Sequence, residues 1–197
     1  MQLHPQSDLI RERMRRCLSL AQAWEGTFYR ATTVEFARRA DLLAGRGTRK
    51  FGGRWTPPGL FAAVYGSLEP ETAMAEALAN YRQFGIPVSE AMPLVFVAIR
   101  VKVQSVLDLN SAEAQREMAV SRRRMIAIDW QKEQEAGREA ITQAIGRVAW
   151  EEKLEGLLVP SARCRDAQNI VLFPSRRRTG SSWRIYRSRK LPRRENS

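Results

Sequence analysis

The chain has 197 residues, of which 44% are apolar and 27% are charged, with a formal net charge of +12 at pH 7. This composition is typical of one globular domain with an ordinary core, and no run of about 18 apolar residues predicts a transmembrane helix. The N-terminus lacks the apolar region of a secretory signal, and two distant cysteines and a single histidine (His4) argue against a disulfide framework or a zinc site. We therefore expect a cytoplasmic protein that needs neither a membrane nor a metal.

Most of the net positive charge lies in the C-terminal segment, because residues 176–197 carry nine basic residues and one acidic residue, a net +8 of the total +12. Residues from Arg176 to Arg194 include nine lysines or arginines and no acidic residue. Such a segment suits binding to nucleic acid, binding to an acidic partner, or simple solubility. Composition does not choose among these three interpretations.

In chain order, the first predicted element is an amphipathic helix from Leu9 to Trp24, because apolar residues recur there at helical spacing. The segment 26–33 (GTFYRATT) is rich in aromatic and β-branched residues and predicts a strand. Residues 37–53 are basic and glycine-rich, which favours a loop, and 59–66 (GLFAAVYG) predict a buried strand.

The middle of the chain alternates between a helix, a strand and a second helical region. Pro70 suits the first turn of a helix that we expect to run to about Phe84. Residues 93–109 form the clearest strand, with valines and one isoleucine on one face and polar residues on the other. Ser111 to about Lys153 has a polar helical pattern, in which Gly137 and Gly146 are predicted breaks.

Three short strands are predicted near the end of the chain. Residues 156–163 (GLLVPSAR) and 169–176 (NIVLFPSR) each begin with an apolar run, and 181–190 (SSWRIYRSRK) alternate weakly, as an edge strand does. About six strands and three or four helices in an irregular order predict a single α+β domain.

Arg54 stands on a constrained segment of the chain. Gly52 and Gly53 precede it, and Pro57 and Pro58 follow closely. Such a loop could present the planar guanidinium to a phosphate or a carboxylate with little entropy loss. The alternative is a surface turn with a solvated arginine. We expect Trp55, beside it, to pack beneath the loop.

Glu76 and Ser161 are further candidates with ordinary alternatives. Helical periodicity places Glu76 opposite an apolar stripe, which predicts a solvated residue, yet the surrounding alanines would let another element come close. Ser161 follows an apolar strand, where a hydroxyl can bind a phosphate or an amide. Because His4 is the only histidine, a Ser-His-Asp hydrolase is excluded.

Several short pieces, taken in order, resemble the RES family. They span roughly Thr27 to Pro174 and read FYR (28–30), GGRW (52–55), VYGS (64–67), PETAMAEAL (70–78), TQAIG (142–146), LLVPSAR (157–163) and NIVLFP (169–174). The arginine, glutamate and serine that name the family fall on Arg54, Glu76 and Ser161. Thr56 departs from the asparagine that is usual in the family, and the basic tail matches no family motif.

The resemblance implies a toxin of a bacterial toxin–antitoxin pair that consumes NAD+. It implies an ADP-ribosyltransferase-like split β-sheet with flanking helices, NAD+ as a substrate with no separate cofactor, and a cognate Xre-like helix-turn-helix antitoxin. Nucleic acid would then be reached only through the antitoxin, and the toxin would form a homodimer or a hetero-oligomer. The expected organisation is an N-terminal helix (1–24), a catalytic domain (25–175) and a basic edge strand and tail (176–197).

Under this resemblance each candidate residue acquires a role. Glu76 would stabilise the oxocarbenium-like state formed when the nicotinamide–ribose bond breaks. The cationic ligands for the diphosphate would be Arg54 and Arg30. The remaining substrate contacts would come from Tyr29, Tyr65, Ser161 and Asn169.

The resemblance leaves the acceptor open. Water would make the protein a glycohydrolase, inorganic phosphate would make it a phosphorylase, and a protein side chain would make it an ADP-ribosyltransferase. Without the resemblance, Tyr29, Arg30 and Tyr65 could equally be core or edge residues, and the basic tail keeps a nucleic-acid-binding protein as a further alternative.

Overall fold

The computed structural model describes residues 1–83, 87, 89, 92–186 and 191, and its longest strand is β3 (Leu94–Asp108). Side chains of β3 alternate between buried and exposed positions, as the sequence pattern predicts. The buried residues of the alternating part are Val97, Ile99, Val101 and Val103, and the end of the strand is buried at Ser105, Val106 and Leu107. This alternation places one face of β3 against the core and leaves Arg100 and Lys102 exposed.

The sheet of the described chain has six strands in the order β1-β2-β5-β4-β3-β6. The other five strands are β1 (Gln22–Thr33), β2 (Val64–Ser67), β4 (Gly156–Pro160), β5 (Gln168–Leu172) and β6 (Ser182–Ile185). Strand β1 also pairs with β3, so that β1, β2, β5, β4 and β3 form a closed ring in which each strand pairs with the next. Only β3 and β4 run parallel among these strands, and β6 lies at the end of the order. Strand β6 covers part of the predicted edge strand 181–190, of which 187–190 lie outside the described residues.

Eight α-helices surround this sheet in the described part of the chain. They are α1 (Ser7–Cys17), α2 (Arg39–Ala44), α3 (Arg46–Phe51), α4 (Pro70–Gln83), α5 (Ala112–Met118), α6 (Arg122–Ala127), α7 (Trp130–Glu135) and α8 (Ile141–Glu151). Among the described residues, no helix has the length and apolar character that crossing a membrane requires. The mixture of helices with a largely antiparallel sheet agrees with the predicted α+β class.

Two apolar clusters cover the two faces of the sheet. Along β4 and β5, alternate residues point to opposite faces, so that Leu157 and Val171 belong to one cluster and Leu158 and Ile170 to the other. Helices α1 and α8 pack on the first cluster, whose largest buried side chain is that of Trp55. Trp55 is therefore packed beneath its loop, as the sequence predicts.

Three predicted boundaries are wrong. The first helix ends at Cys17 instead of Trp24, because Gln22–Trp24 pair with the end of β3 and become part of β1. Residues 37–53 are not a plain loop, since they contain α2 and α3. The strand predicted for 59–66 is confined to Val64–Ser67.

Helix α8 differs most from its prediction. Gly137 lies in a turn with φ of 72° and does separate α7 from α8, whereas Gly146 lies inside α8 and is not a break. A Cβ at Gly146 would lie 1.8 Å from the backbone oxygen of Trp55, so glycine is needed for close packing. The helix is also not polar in its environment, because residues 141–149 are all buried.

A buried ion pair fixes α8 to the N-terminal segment. Arg147 donates to both carboxylate oxygens of Glu139, at 2.7 and 2.9 Å, and donates further to the hydroxyl of Ser7. Glu139 also accepts the backbone N–H of His4. These bonds anchor the beginning of the chain on α8.

Candidate active site

Glu76, Ser161 and Asn169 come together where β4 and β5 approach α4. The hydroxyl of Ser161 donates a 2.7 Å hydrogen bond to Oε1 of Glu76, and the side-chain amide of Asn169 donates a 2.8 Å bond to the same oxygen. Two donors on one carboxylate oxygen fix the orientation of the carboxylate. The half-buried Glu76 is therefore not the solvated residue that helical periodicity alone predicts.

The turn after β4 determines where the hydroxyl of Ser161 points. Its oxygen accepts hydrogen bonds from the backbone N–H groups of Arg163 and Cys164, each at 3.1 Å, and its O–H group donates the hydrogen bond to Glu76. The side chain is 1% exposed. Because this hydroxyl already has three partners, its first role in the structure is to organise the turn and to hold Glu76.

Arg54 occupies a tight turn between the glycines and the prolines. The turn closes through two backbone bonds, from Gly53 to Thr56 at 2.8 Å and from Thr56 to Gly53 at 3.1 Å. The Nη1 group of the arginine donates at 2.9–3.3 Å to three backbone carbonyls at the end of α6, those of Met125, Ile126 and Ile128. The guanidinium thus caps α6, which satisfies carbonyls that a helix end leaves unpaired.

Electrostatics relate Arg54 to Glu76. Burial lowers the pKa of Arg54, and the negative charge of Glu76 offsets part of this effect. The positive charge of Arg163 acts on the same guanidinium and lowers its pKa further. The site therefore combines one carboxylate with at least two guanidinium groups, a charge pattern that suits an anionic substrate.

Tyr65 holds the Arg54 turn from the side of β2. Its hydroxyl oxygen accepts the backbone N–H of Trp55 at 2.9 Å and shares a 2.8 Å hydrogen bond with the hydroxyl of Thr56. Burial raises the pKa of the Tyr65 phenol, with Thr56 and Trp55 acting in the opposite direction. The tyrosine therefore remains protonated at neutral pH.

Tyr29 and Arg30 lie on opposite faces of β1, as successive strand residues do. The ring of Tyr29 stacks on Phe96 with centroids 5.8 Å apart, and Tyr29 is paired with Ser67 of β2. Ser67 is in turn paired with Asn169, which places Tyr29 two strands from the Glu76 cluster and on the same face of the sheet.

Arg30 is separated from that cluster by the sheet. It donates to the carbonyl of Leu42 at 3.1 Å, and burial lowers the pKa of its guanidinium. Among the described residues, the structure brings Glu76, Ser161 and Asn169 into direct contact and Arg54 into electrostatic reach. It does not bring Arg30 into contact with that group.

Sequence reasoning missed the residues that support the Arg54 turn. The buried amide of Gln143 donates to the backbone oxygen of Gly53, and Gly146 lets α8 approach Trp55. Both belong to the TQAIG segment, which is one of the family-like motifs but whose local pattern predicts only a helix with a break at Gly146. Within the described ranges, no cluster of three or more metal-binding side chains is found.

Comparisons with known proteins agree with the motifs. A family model described as the RES domain matches residues 27–194. The chain is 29% identical over 141 residues to the NAD(+) phosphorylase MbcT of Mycobacterium tuberculosis and of Mycobacterium bovis, covering 71% of this chain and 69% of the relative. A crystal structure of the M. tuberculosis MbcT-MbcA toxin-antitoxin complex has the same fold, with a TM-score of 0.67 and 24% identity over 92% of this chain and 96% of that one.

Proposed function

Because the chain belongs to the RES domain family, we propose that it is the toxin of a toxin–antitoxin pair and that it cleaves NAD+ at the nicotinamide–ribose bond. The observation that carries this proposal is the convergence of Ser161 and Asn169 on one oxygen of Glu76. It places an oriented carboxylate at the junction of three elements, where a cationic transition state can be stabilised. The similarity to MbcT, named an NAD(+) phosphorylase, supports inorganic phosphate as the acceptor.

The proposed reaction breaks one bond and forms another at C1″ of the nicotinamide ribose. The electron pair of the C1″–N bond leaves with nicotinamide, which departs as a neutral molecule and needs no general acid. Positive charge develops on the ribose ring, as in glycoside cleavage. An oxygen of phosphate then bonds to C1″, and the products are nicotinamide and ADP-ribose 1″-phosphate.

Glu76 supplies the negative charge that this transition state requires. Oε1 is occupied by its two donors, so we assign Oε2 to the ribose, where it stabilises the cation or accepts a ribose hydroxyl. Ser161 and Asn169 act on the carboxylate in this account. Fixing a charged group before the reaction avoids its reorganisation during the reaction, which is a principal source of enzymatic rate enhancement.

The remaining site residues bind the rest of the substrate. We assign the diphosphate to Arg54, whose Nη1 already holds the end of α6. Arg30 lies on the other face of β1, where it donates to the carbonyl of Leu42, so it is left out of this assignment. Tyr29 offers a ring for the nicotinamide on the same face as Asn169. The hydroxyl of Tyr65 is engaged with the Arg54 turn, so its contact with substrate would be made by the ring.

The proposal extends to fold class, partner and location. Strands β1 and β2 pair only at Tyr29 and Ser67, which supports an ADP-ribosyltransferase-like sheet split into two halves.

An antitoxin partner is supported by the MbcT-MbcA complex, and we propose an Xre-like helix-turn-helix protein that supplies any contact with nucleic acid. We propose a cytoplasmic toxin, as a homodimer or hetero-oligomer, with its catalytic domain at 25–175 between the N-terminal segment (1–24) and the basic tail (176–197).

Incubation of antitoxin-free protein with NAD+, with and without phosphate, tests the reaction. Mass spectrometry should detect free nicotinamide together with ADP-ribose 1″-phosphate when phosphate is present. Free ADP-ribose in both samples would show that the acceptor is water and not phosphate. Transfer of ADP-ribose to a protein would indicate a transferase, and intact NAD+ in both samples would reject NAD+ cleavage.

A further inference from the structure

The turn that carries Arg54 is held on its carbonyl side by one buried side chain, that of Gln143. Its Nε2 group donates to the backbone oxygen of Gly53 at 3.2 Å and to Oε1 of Gln134 at 2.9 Å. Its own Oε1 accepts the backbone N–H of Ala140 at 3.1 Å. Gln143 is 0% exposed, so these bonds replace all the contacts with water that the amide would otherwise make.

A second amide continues this connection to the other end of the glycine pair. Gln134, on α7, donates to the backbone oxygen of Phe51 at 3.0 Å while it accepts from Gln143. The carbonyls of Phe51 and Gly53 flank Gly52, where a Cβ would lie 2.3 Å from Oε1 of Gln134. The two glutamines therefore contact both sides of Gly52.

We propose that Gln143 is a positioning residue for the candidate active site, and that it acts with Gln134 to hold the Arg54 turn in the geometry that binds substrate. This inference rests on the proposed cleavage of NAD+, in which Arg54 binds the diphosphate. Tyr65 fixes the N–H side of the turn, and the two glutamines fix its carbonyl side. Without either support, one side of the turn is released, and the bonds from Nη1 to the end of α6 must then hold the guanidinium.

The chemistry of the amide makes Gln143 hard to replace. It presents two N–H donors to two acceptors, the carbonyl of Gly53 and Oε1 of Gln134. A carboxylate of the same size would place an acceptor against both of them, which removes two hydrogen bonds and adds repulsion. Because Arg54 contacts the substrate before and during the reaction, its displacement should weaken binding of NAD+ in both states.

The test compares Gln143→Glu with the milder Gln134→Met, since Gln134 is only half-buried and its loss leaves α8 intact. Gln131→Met is the matched control, because Gln131 lies on α7 and makes no side-chain hydrogen bond to the described residues. Hydrogen exchange over residues 51–56 and over 156–172 is measured together with kcat and KM for NAD+. Thermal unfolding identifies any variant that has lost its fold.

Both variants should exchange faster over residues 51–56 and remain as wild type over 156–172. We expect KM for NAD+ to rise roughly tenfold in Gln143→Glu, and less in Gln134→Met, while kcat stays within about threefold. A general loss of folded enzyme would instead lower kcat and leave KM unchanged. That pattern, or unchanged exchange over 51–56 in both variants, would overturn the proposal.

The exchange measurement separates this proposal from the proposed function. If wild-type protein leaves NAD+ intact, the proposed reaction fails, and so does the assignment of Gln143 to it. Faster exchange confined to residues 51–56 would then still establish that Gln143 holds the turn.

Discussion

Ser161 and Glu76 are 85 residues apart in the chain, and the hydroxyl of the serine donates a 2.7 Å hydrogen bond to Oε1 of the glutamate. Asn169, on the neighbouring strand β5, donates to the same oxygen. The serine turn and α4 are therefore coupled through one carboxylate oxygen. Ser161 therefore has three hydrogen-bond partners, none of them a histidine: its hydroxyl donates to the carboxylate of Glu76 and accepts the backbone N–H groups of Arg163 and Cys164.

Substitution of Ser161 by alanine should lower kcat for NAD+ by about 10- to 150-fold, the effect of losing a hydrogen bond to a charged group worth about 1.5–3 kcal/mol. The protein should remain folded but melt at a lower temperature, since the backbone N–H groups of Arg163 and Cys164 lose their acceptor. Steady-state kinetics measure the effect. Ser175→Ala is the control, because it removes a hydrogen bond to Trp150 at the surface and should leave kcat unchanged. Wild-type kcat in Ser161→Ala would contradict the role of the serine.

The phenol of Tyr65 should contribute to stability as well as to the site. Tyr65→Phe removes the acceptor of the buried Trp55 N–H, so the free energy of unfolding should fall by about 1–3 kcal/mol. Urea denaturation measures the change. Tyr29→Phe is the matched control, because the Tyr29 hydroxyl makes no hydrogen bond to the described residues, and its free energy of unfolding should change by less than about 0.5 kcal/mol. Equal changes in the two variants would contradict this account of the turn.

Gly146 is predicted to be essential for the packing of α8 against the Arg54 turn. Gly146→Ala should lower the free energy of unfolding by about 1–3 kcal/mol, because the added Cβ lies 1.8 Å from the backbone oxygen of Trp55. In the control Gly47→Ala, in the exposed helix α3, the added Cβ has no atom within 4 Å. This variant should raise the free energy of unfolding by up to about 1 kcal/mol. Urea denaturation should give changes in the free energy of unfolding of opposite sign for the two variants. A neutral or stabilising effect of Gly146→Ala would contradict the close packing of α8 on Trp55.

The strands were readable from the sequence because their signal is local. In the sequence of β3, apolar and polar residues alternate with the period of a strand, and in the structure buried and exposed side chains alternate over the middle of the strand. The predicted first helix is too long because Gln22–Trp24 continue its pattern, while their pairing with β3 depends on residues about 80 positions away. Local periodicity carries no information about such a distant partner.

The candidate site was only partly readable for the same reason. Helical periodicity turns Glu76 toward solvent, and only the approach of β4 and β5 gives its carboxylate two donors. Gly146 resembled a helix break because glycine has a low helix propensity, but the structure uses its missing side chain for close packing. The motif order in the sequence indicated which residues belong together, whereas their contacts depend on tertiary structure.

The most direct test of the account is the release of nicotinamide from NAD+ by wild-type protein and by Glu76→Gln, measured with phosphate present and antitoxin absent. The amide keeps the size of the side chain and an oxygen for Ser161, so the variant should fold with an unchanged circular dichroism spectrum. We predict that the wild type releases nicotinamide and that Glu76→Gln is slower by at least about 100-fold, because the charge that stabilises the transition state is lost. Equal rates of nicotinamide release by the two proteins would contradict the central role of Glu76.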